Sequence, residues 1–180
     1  MLTATVYSFE IELSDVDRGV YETLSFKAAQ HPSETNEYLV ARVLAYCLEY
    51  TEGIAFSKGL AEPDEPAIAV RDLTGALRAW IEIGSPDAAR LHKASKASPR
   101  VVVYTHKDPR RLLEALAGEK IHRRESLEIV APDRQLIAEC AGRPDGGMGF
   151  APSVSDSQLY VTFGGTTLDA VIERVPLQAP

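Results

Sequence analysis

Long apolar runs are missing from this chain of 180 residues: none approaches the 18 residues that a membrane-crossing helix needs. Its first residues, MLTATVYSFEIEL, alternate apolar and polar instead of setting a basic cluster before an apolar one. The expectation is a cytoplasmic protein with no secretory leader and no membrane partner. Cysteine is scarce. Cys47 and Cys140 stand far apart in patterned segments without CxxC spacing, which predicts two buried free thiols in a reducing compartment. The glycines at 146–149 and 164–165 lack both GxGxxG and Walker spacing, which argues against a nucleotide cradle. There is no internal repeat, no low-complexity tract and no linker long enough to set one domain apart from another, so residues 1–180 read as one domain. That length is enough to bury about 70% of the unfolded surface.

Positive charge is also in deficit. Nineteen Lys and Arg face 26 Asp and Glu, a net charge of −7, so the chain has no general attraction to phosphate backbones. A nucleic-acid partner would need a local basic face, and basic residues do gather over 90–100 and 107–124. Solvated helix surfaces are the plainer meaning of those two runs.

Period-two alternation marks a strand over 3–13, with Thr5, Tyr7, Phe9, Ile11 and Leu13 on one side. A turn at 14–19 and renewed alternation over 20–28 complete an antiparallel hairpin. Ser33 then reads as the cap of a helix, with Glu34 and Glu37 suited to the positive end of its first turn. Leu39, Val43, Tyr46, Cys47 and Tyr50 give that helix a wide apolar face as far as Gly53. A strand is predicted over 54–60, and Val101, Val102, Val103 and Tyr104 form the continuous run expected of a strand covered on both faces. Pro109 starts a helix carrying Leu112, Leu113 and Leu116. Further on, Leu127 to Val130 is a strand and Asp133 caps a short helix, followed by two or three strands over 150–154, 159–163 and 168–175. The class is α+β: helices packed across a mixed sheet.

Residues 63–104 organise the rest. PAIAVRD and ALRAWIEI are two strands joined by the turn Leu73-Thr74-Gly75, and antiparallel pairing sets Asp64 or Glu65 beside Glu82. Paired carboxylates at a strand end suit a hard divalent cation. Asp87 caps the next helix, from which Lys93 can reach back over the same spot. The plain reading keeps Asp64 and Glu65 as solvated loop acids and pairs Glu82 with Lys93 or Arg90. Trp80 reads first as core, with base stacking as its functional alternative.

The segments HPSETNEYLVARVLAYCLEY (31–50), DEPAI (64–68), AWIEIGSPDAARLHKASK (79–96) and VVVYTH (101–106) together resemble the YaeQ family of small bacterial proteins, over nearly the whole chain. The resemblance implies a compact single-domain fold that varies the PD-(D/E)XK core of restriction-endonuclease-like proteins. On that pattern Pro63-Asp64 matches the Pro-Asp element, with Glu65 as a neighbour that can share the work, and Glu82 matches the second acid. Gly84 stands where the pattern has lysine, and Lys93 is the candidate replacement. Glu34 is similar to the helix glutamate that some members add to the metal site.

The implied activity is that of a divalent-metal-dependent nuclease or phosphodiesterase. Asp64, Glu82 and Glu65 would hold Mg²⁺ or Mn²⁺, while Lys93 and Glu34 would assist catalysis. The alternative, motivated by Gly84 and the acidic net charge, is a non-catalytic binding module of nuclease architecture contacting nucleic acid or protein. A small-molecule phosphodiesterase or nucleotide-binding enzyme using the same acids is the third expectation.

Overall fold

Alternation over the first thirty residues produces what it predicts, a hairpin of β1 (Thr5–Asp15) and β2 (Val20–Gln30). Phe9 stands opposite Phe26 with ring centroids 5.4 Å apart, and Ile11 opposite Leu24. The computed structural model describes residues 3–57, 64–142, 150–163 and 165–177. The chain divides into two compact units, residues 1–50 with 132–172 and residues 51–131 with 173–180.

In the first unit the hairpin turns at Gly19, whose φ of 68° favours a residue without a side chain. Buried Asp15 accepts from the backbone N–H and the Nε of Arg18, the latter at 2.6 Å. The Arg18 guanidinium continues to the carbonyls of Cys47 and Tyr50, at the end of helix α1 (Asn36–Leu48). A cation there satisfies orphan carbonyls and complements the helix dipole. The helix begins later than the sequence suggests. Thr35, not Ser33, is its cap and accepts from the Tyr38 N–H, because Ser33 is turned to His31 Nδ1 through its own N–H and hydroxyl. The sheet runs β10 (Thr166–Val171), β9 (Gln158–Phe163), β8 (Ala151–Ser155), β1, β2, with β8 parallel to β1 and the other pairs antiparallel. Helix α4 (Arg134–Ala141) starts, as expected, at an Asp133 cap. Cys47 and Cys140 are both buried and free, and burial pushes the Cys47 thiol up to about 12.

The second unit is a six-stranded mixed sheet in the order β11 (Glu173–Pro176), β7 (Glu128–Ala131), β6 (Val101–Tyr104), β5 (Leu77–Ile83), β4 (Ile68–Arg71), β3 (Ile54–Phe56). Strands β5, β6 and β7 are parallel, joined by helices α2 (Ala88–Ala97) and α3 (Pro109–Leu116). Leu91 and Ala94 of α2 enter the same cluster as Leu112 and Leu116 of α3, with Trp80, Val103 and Ile129 from the sheet. Both helices therefore cover one sheet face, and each buried leucine contributes about 1.5–3 kcal/mol.

The strand pattern differs from expectation in two places. There are two mixed sheets where the sequence suggests one. The segment expected as one strand over 168–175 breaks at Ile172: β10 stays in the first sheet and β11 pairs with β7 in the second. Pro63, the end of the strand predicted over 54–60 and residues 143–149 lie outside the described residues.

Candidate functional site: a carboxylate held by arginine and a basic helical layer

Strand β5 places Trp80 and Glu82 two residues apart, hence on one face of the sheet. Helix α2, capped by Asp87 through the Arg90 N–H at 2.8 Å, brings Arg90 over them. Glu82 is buried, with 4% exposure. Its Oε2 accepts from Arg90 Nε at 2.6 Å; its Oε1 accepts from a terminal guanidinium nitrogen of Arg90 at 2.9 Å and from Trp80 Nε1 at 2.7 Å. The guanidinium carbon lies 5.6 Å from the Trp80 ring centroid, and the same guanidinium donates to the Glu65 carbonyl at 2.8 Å. Charge-assisted, two-pronged bonds of this kind are short and directional. A buried carboxylate needs such partners to stay ionised without a large desolvation cost.

The other expected residues are placed as follows. Asp64 pairs with Lys93, and both side chains are largely exposed, at 71% and 55%. A pair so open to water contributes about 0–1 kcal/mol. Glu65 comes to the cluster through its carbonyl. Asp64 thus meets Lys93, and Glu65 meets Arg90 through its backbone, while Glu82 is bonded to Arg90 and Trp80. The partners differ from those a metal site needs, because Arg90 fills the space between Glu82 and residue 65. Gly84 has a φ of 94° and donates to the Tyr104 carbonyl at 2.9 Å, so a lysine there would be strained.

Glu34 lies in the other unit, in the turn before α1 and not on the helix. Its side chain is 3% exposed and Arg42 approaches to 3.3 Å, yet neither carboxylate oxygen receives a hydrogen bond among the described residues. Burial raises its pKa above the ordinary value, opposed by Arg42.

A resident divalent cation fits these residues poorly. Both oxygens of Glu82 are already satisfied by protein donors, and among the described residues no three His, Cys, Asp or Glu side chains gather closely enough to hold a metal ion.

The outer side of α2 and α3 is chemically simpler. Residues 90–124 hold ten Lys and Arg against three Asp and Glu in a chain of net charge −7. Arg100 pairs with Glu128, Arg123 donates to the carbonyls of Ser95 and Ser98, and Arg124 donates to Leu116 and Glu119 carbonyls near the end of α3. Lys96, Lys107, Arg111 and Lys120 are exposed and have no ion-pair partner among the described residues. The two basic runs seen in sequence meet at one point. The backbone N–H of His122 donates to His92 Nδ1 at 3.0 Å, and Lys96 and Lys120 both act electrostatically on His92. Sequence reasoning did not single out Arg90 as the main partner of Glu82, nor His92 and His122. The i, i+4 spacing of His92 and Lys96 on one helix face was the available signal.

These features define a small α+β protein with two mixed sheets, four described helices and a basic helical layer; no described helix is long and apolar enough to cross a membrane. The family model described as YaeQ protein matches residues 1–172, and the chain belongs to that family. The YaeQ protein of Xanthomonas axonopodis pv. citri has a crystal structure similar to this chain, with a TM-score of 0.84 at 33% identity over 99% of this chain and 100% of that one. The Pseudomonas syringae YaeQ structure gives 0.81 at 30% identity over 98% and 97%. The YaeQ protein of Escherichia coli K12, itself described as uncharacterized, is 35% identical over 105 residues, which are 58% of either chain. The aligned stretch thus spans less than two thirds of that curated relative.

Proposed function

We propose that this chain is a binding module for nucleic acid, which it contacts through the basic layer of α2, α3 and the segment that follows them. The observation that carries this reading is a set of four exposed cations without an ion-pair partner among the described residues, Lys96, Lys107, Arg111 and Lys120. They stand on and beside one helical layer of an otherwise acidic protein. Unpaired Lys and Arg release counterions when they meet phosphates, and that release drives sequence-independent binding. A variant PD-(D/E)XK core used as a scaffold is consistent with the place of Asp64, Glu82 and Lys93, with Arg90 in the role of a built-in cation.

Fluorescence anisotropy with labelled single-stranded DNA, duplex DNA and single-stranded RNA tests the reading. Binding should weaken steeply between about 50 and 200 mM salt. Lys107→Ala/Arg111→Ala should flatten the duplex salt slope by about 2, at roughly 0.9 for each phosphate no longer neutralised. Absence of binding to all three at low salt would end this reading.

A second reading draws on Asp64 beside Lys93 and on Arg90 linking Glu82 to the Glu65 backbone: a Mg²⁺- or Mn²⁺-dependent nuclease or phosphodiesterase using Asp64, Glu65, Glu82 and Lys93. It requires Glu82 to leave Arg90. On the first reading, millimolar Mn²⁺ leaves the melting temperature unchanged and no oligonucleotide is cut. A metal-induced stabilisation that Glu82→Ala abolishes, accompanied by cleavage, would replace the first reading with the second.

A further inference from the structure

The segment between α3 and β7 is fastened to α2. Besides the His122 N–H bond to His92 Nδ1 at 3.0 Å, Ser95 Oγ donates to the His122 carbonyl, and the Arg123 guanidinium donates to Ser95 and, at 2.8 Å, to Ser98. Ile121 is buried in the cluster beneath. Arg123 takes a left-handed backbone, φ 48°, a conformation that a non-glycine residue holds only where its surroundings enforce it. The positions of His92 and His122 are therefore set by the fold, with ring centroids 6.3 Å apart and planes at 80°.

The first bond also fixes a tautomer. Since His92 Nδ1 accepts, the neutral ring carries its proton on Nε2 and offers it as a donor. Around it stand Lys96 from its own helix and Lys120 and His122 from the fastened segment, and these are the charged and titratable groups that act on it. None is acidic. Lys96 and Lys120 have no ion-pair partner among the described residues, and both are exposed. The set is rich in donors and free of carboxylates, held at the meeting of two chain segments: the chemistry of an oxyanion site.

We propose that His92, Lys96, Lys120 and His122 bind a phosphate group, and favour the dianionic phosphomonoester at a nucleic-acid end over the singly charged phosphodiester of its backbone. This deepens the nucleic-acid reading and relies on it only for the identity of the ligand. Burial of the ring and the neighbouring cations hold the His92 pKa below the ordinary value, so an anion that neutralises those cations draws a proton onto the ring.

The test has two arms. In the first, inorganic phosphate is titrated against the full chain at constant ionic strength while the imidazole C–H signals are followed by NMR, with chloride as control. Saturable shifts of His92 and His122, weakened at least tenfold in Lys96→Ala/Lys120→Ala, are the expected result. Shifts that chloride reproduces, or a double variant that titrates like the wild type, would overturn the site. In the second arm, anisotropy compares oligonucleotides with a terminal phosphate against the same oligonucleotides ending in hydroxyl. Tighter binding of the phosphorylated ends, lost in the double variant, supports the proposal, and equal binding overturns the phosphomonoester preference. Phosphate shifts without oligonucleotide binding would keep the phosphate site and remove the nucleic-acid reading. Oligonucleotide binding without phosphate shifts would do the reverse.

Discussion

At the scale of residues, Glu82 is the position where function and stability compete most directly. It accepts three hydrogen bonds in a nearly dry setting, two from Arg90 and one from Trp80. Removal of the carboxylate takes the acceptor from Trp80 Nε1 and leaves Arg90 its bond to the Glu65 carbonyl, and breaking a buried ion pair costs about 3–5 kcal/mol. Arg90 retains some exposure to solvent, so the lower end applies here. Glu82→Ala should lose about 2–4 kcal/mol in urea unfolding, and Glu82→Gln less, since an amide oxygen still accepts from the Trp80 N–H. If Glu82→Ala unfolds like the wild type, the carboxylate is not structural, and the case for a displaceable Arg90 is strengthened. The sequence allowed Glu82 both a metal and an ion pair. It could not decide, because Arg90 and Lys93 are both within reach from α2 and only the helix's rotation against Trp80 selects Arg90.

At the scale of elements, polar side chains at strand and helix ends do much of the local work. Asp72 holds the β4–β5 turn: its Oδ1 accepts from the N–H groups of Thr74 and Ala76 and from the Thr74 hydroxyl, and Oδ2 accepts from Arg78. Its carboxyl is lowered to about 2, first by the Thr74 hydroxyl. A folded-state value below the unfolded one means that the unfolded chain binds the proton first. The turn's contribution is complete above the ordinary value of 3.8 and disappears as pH falls from there through about 2. Asp72→Ala should lower the melting temperature at neutral pH and lose that difference near the acid end of this window, while speeding amide exchange in β4 and β5. An unchanged exchange rate would show that the hairpin is held by its strands alone. Caps of this kind were legible where the side chain had one use, as with Asp87 and Asp133. Ser33 was misread because a neighbouring imidazole offered its hydroxyl a second partner.

At the scale of the whole molecule, the net charge of −7 hides an uneven distribution. The first unit holds 13 acidic and 5 basic residues, the second 13 and 14. A total charge therefore says little about what the α2–α3 layer can meet. Local periodicity revealed most strands and all four helices. Pairings between distant segments left no such trace: β1 beside β8, and β11 beside β7. Leu177, just past β11, is buried in the core of the second unit. Leu177→Ala should cost about 2–4 kcal/mol, read as an earlier urea midpoint. A neutral result would mean that β11 is not needed for that sheet's stability.

Because β11 arrives only after residues 132–172 have been supplied to the other unit, neither half of this protein is a continuous piece of chain. A ribosome makes two of the five strands of one sheet, then most of the second, then returns to the first. Strands β1 and β2 must wait for more than 100 residues of synthesis before β8 can join them. The nascent chain thus carries an unfilled sheet edge for most of its time on the ribosome, and that interval is when chaperones would have the most to protect.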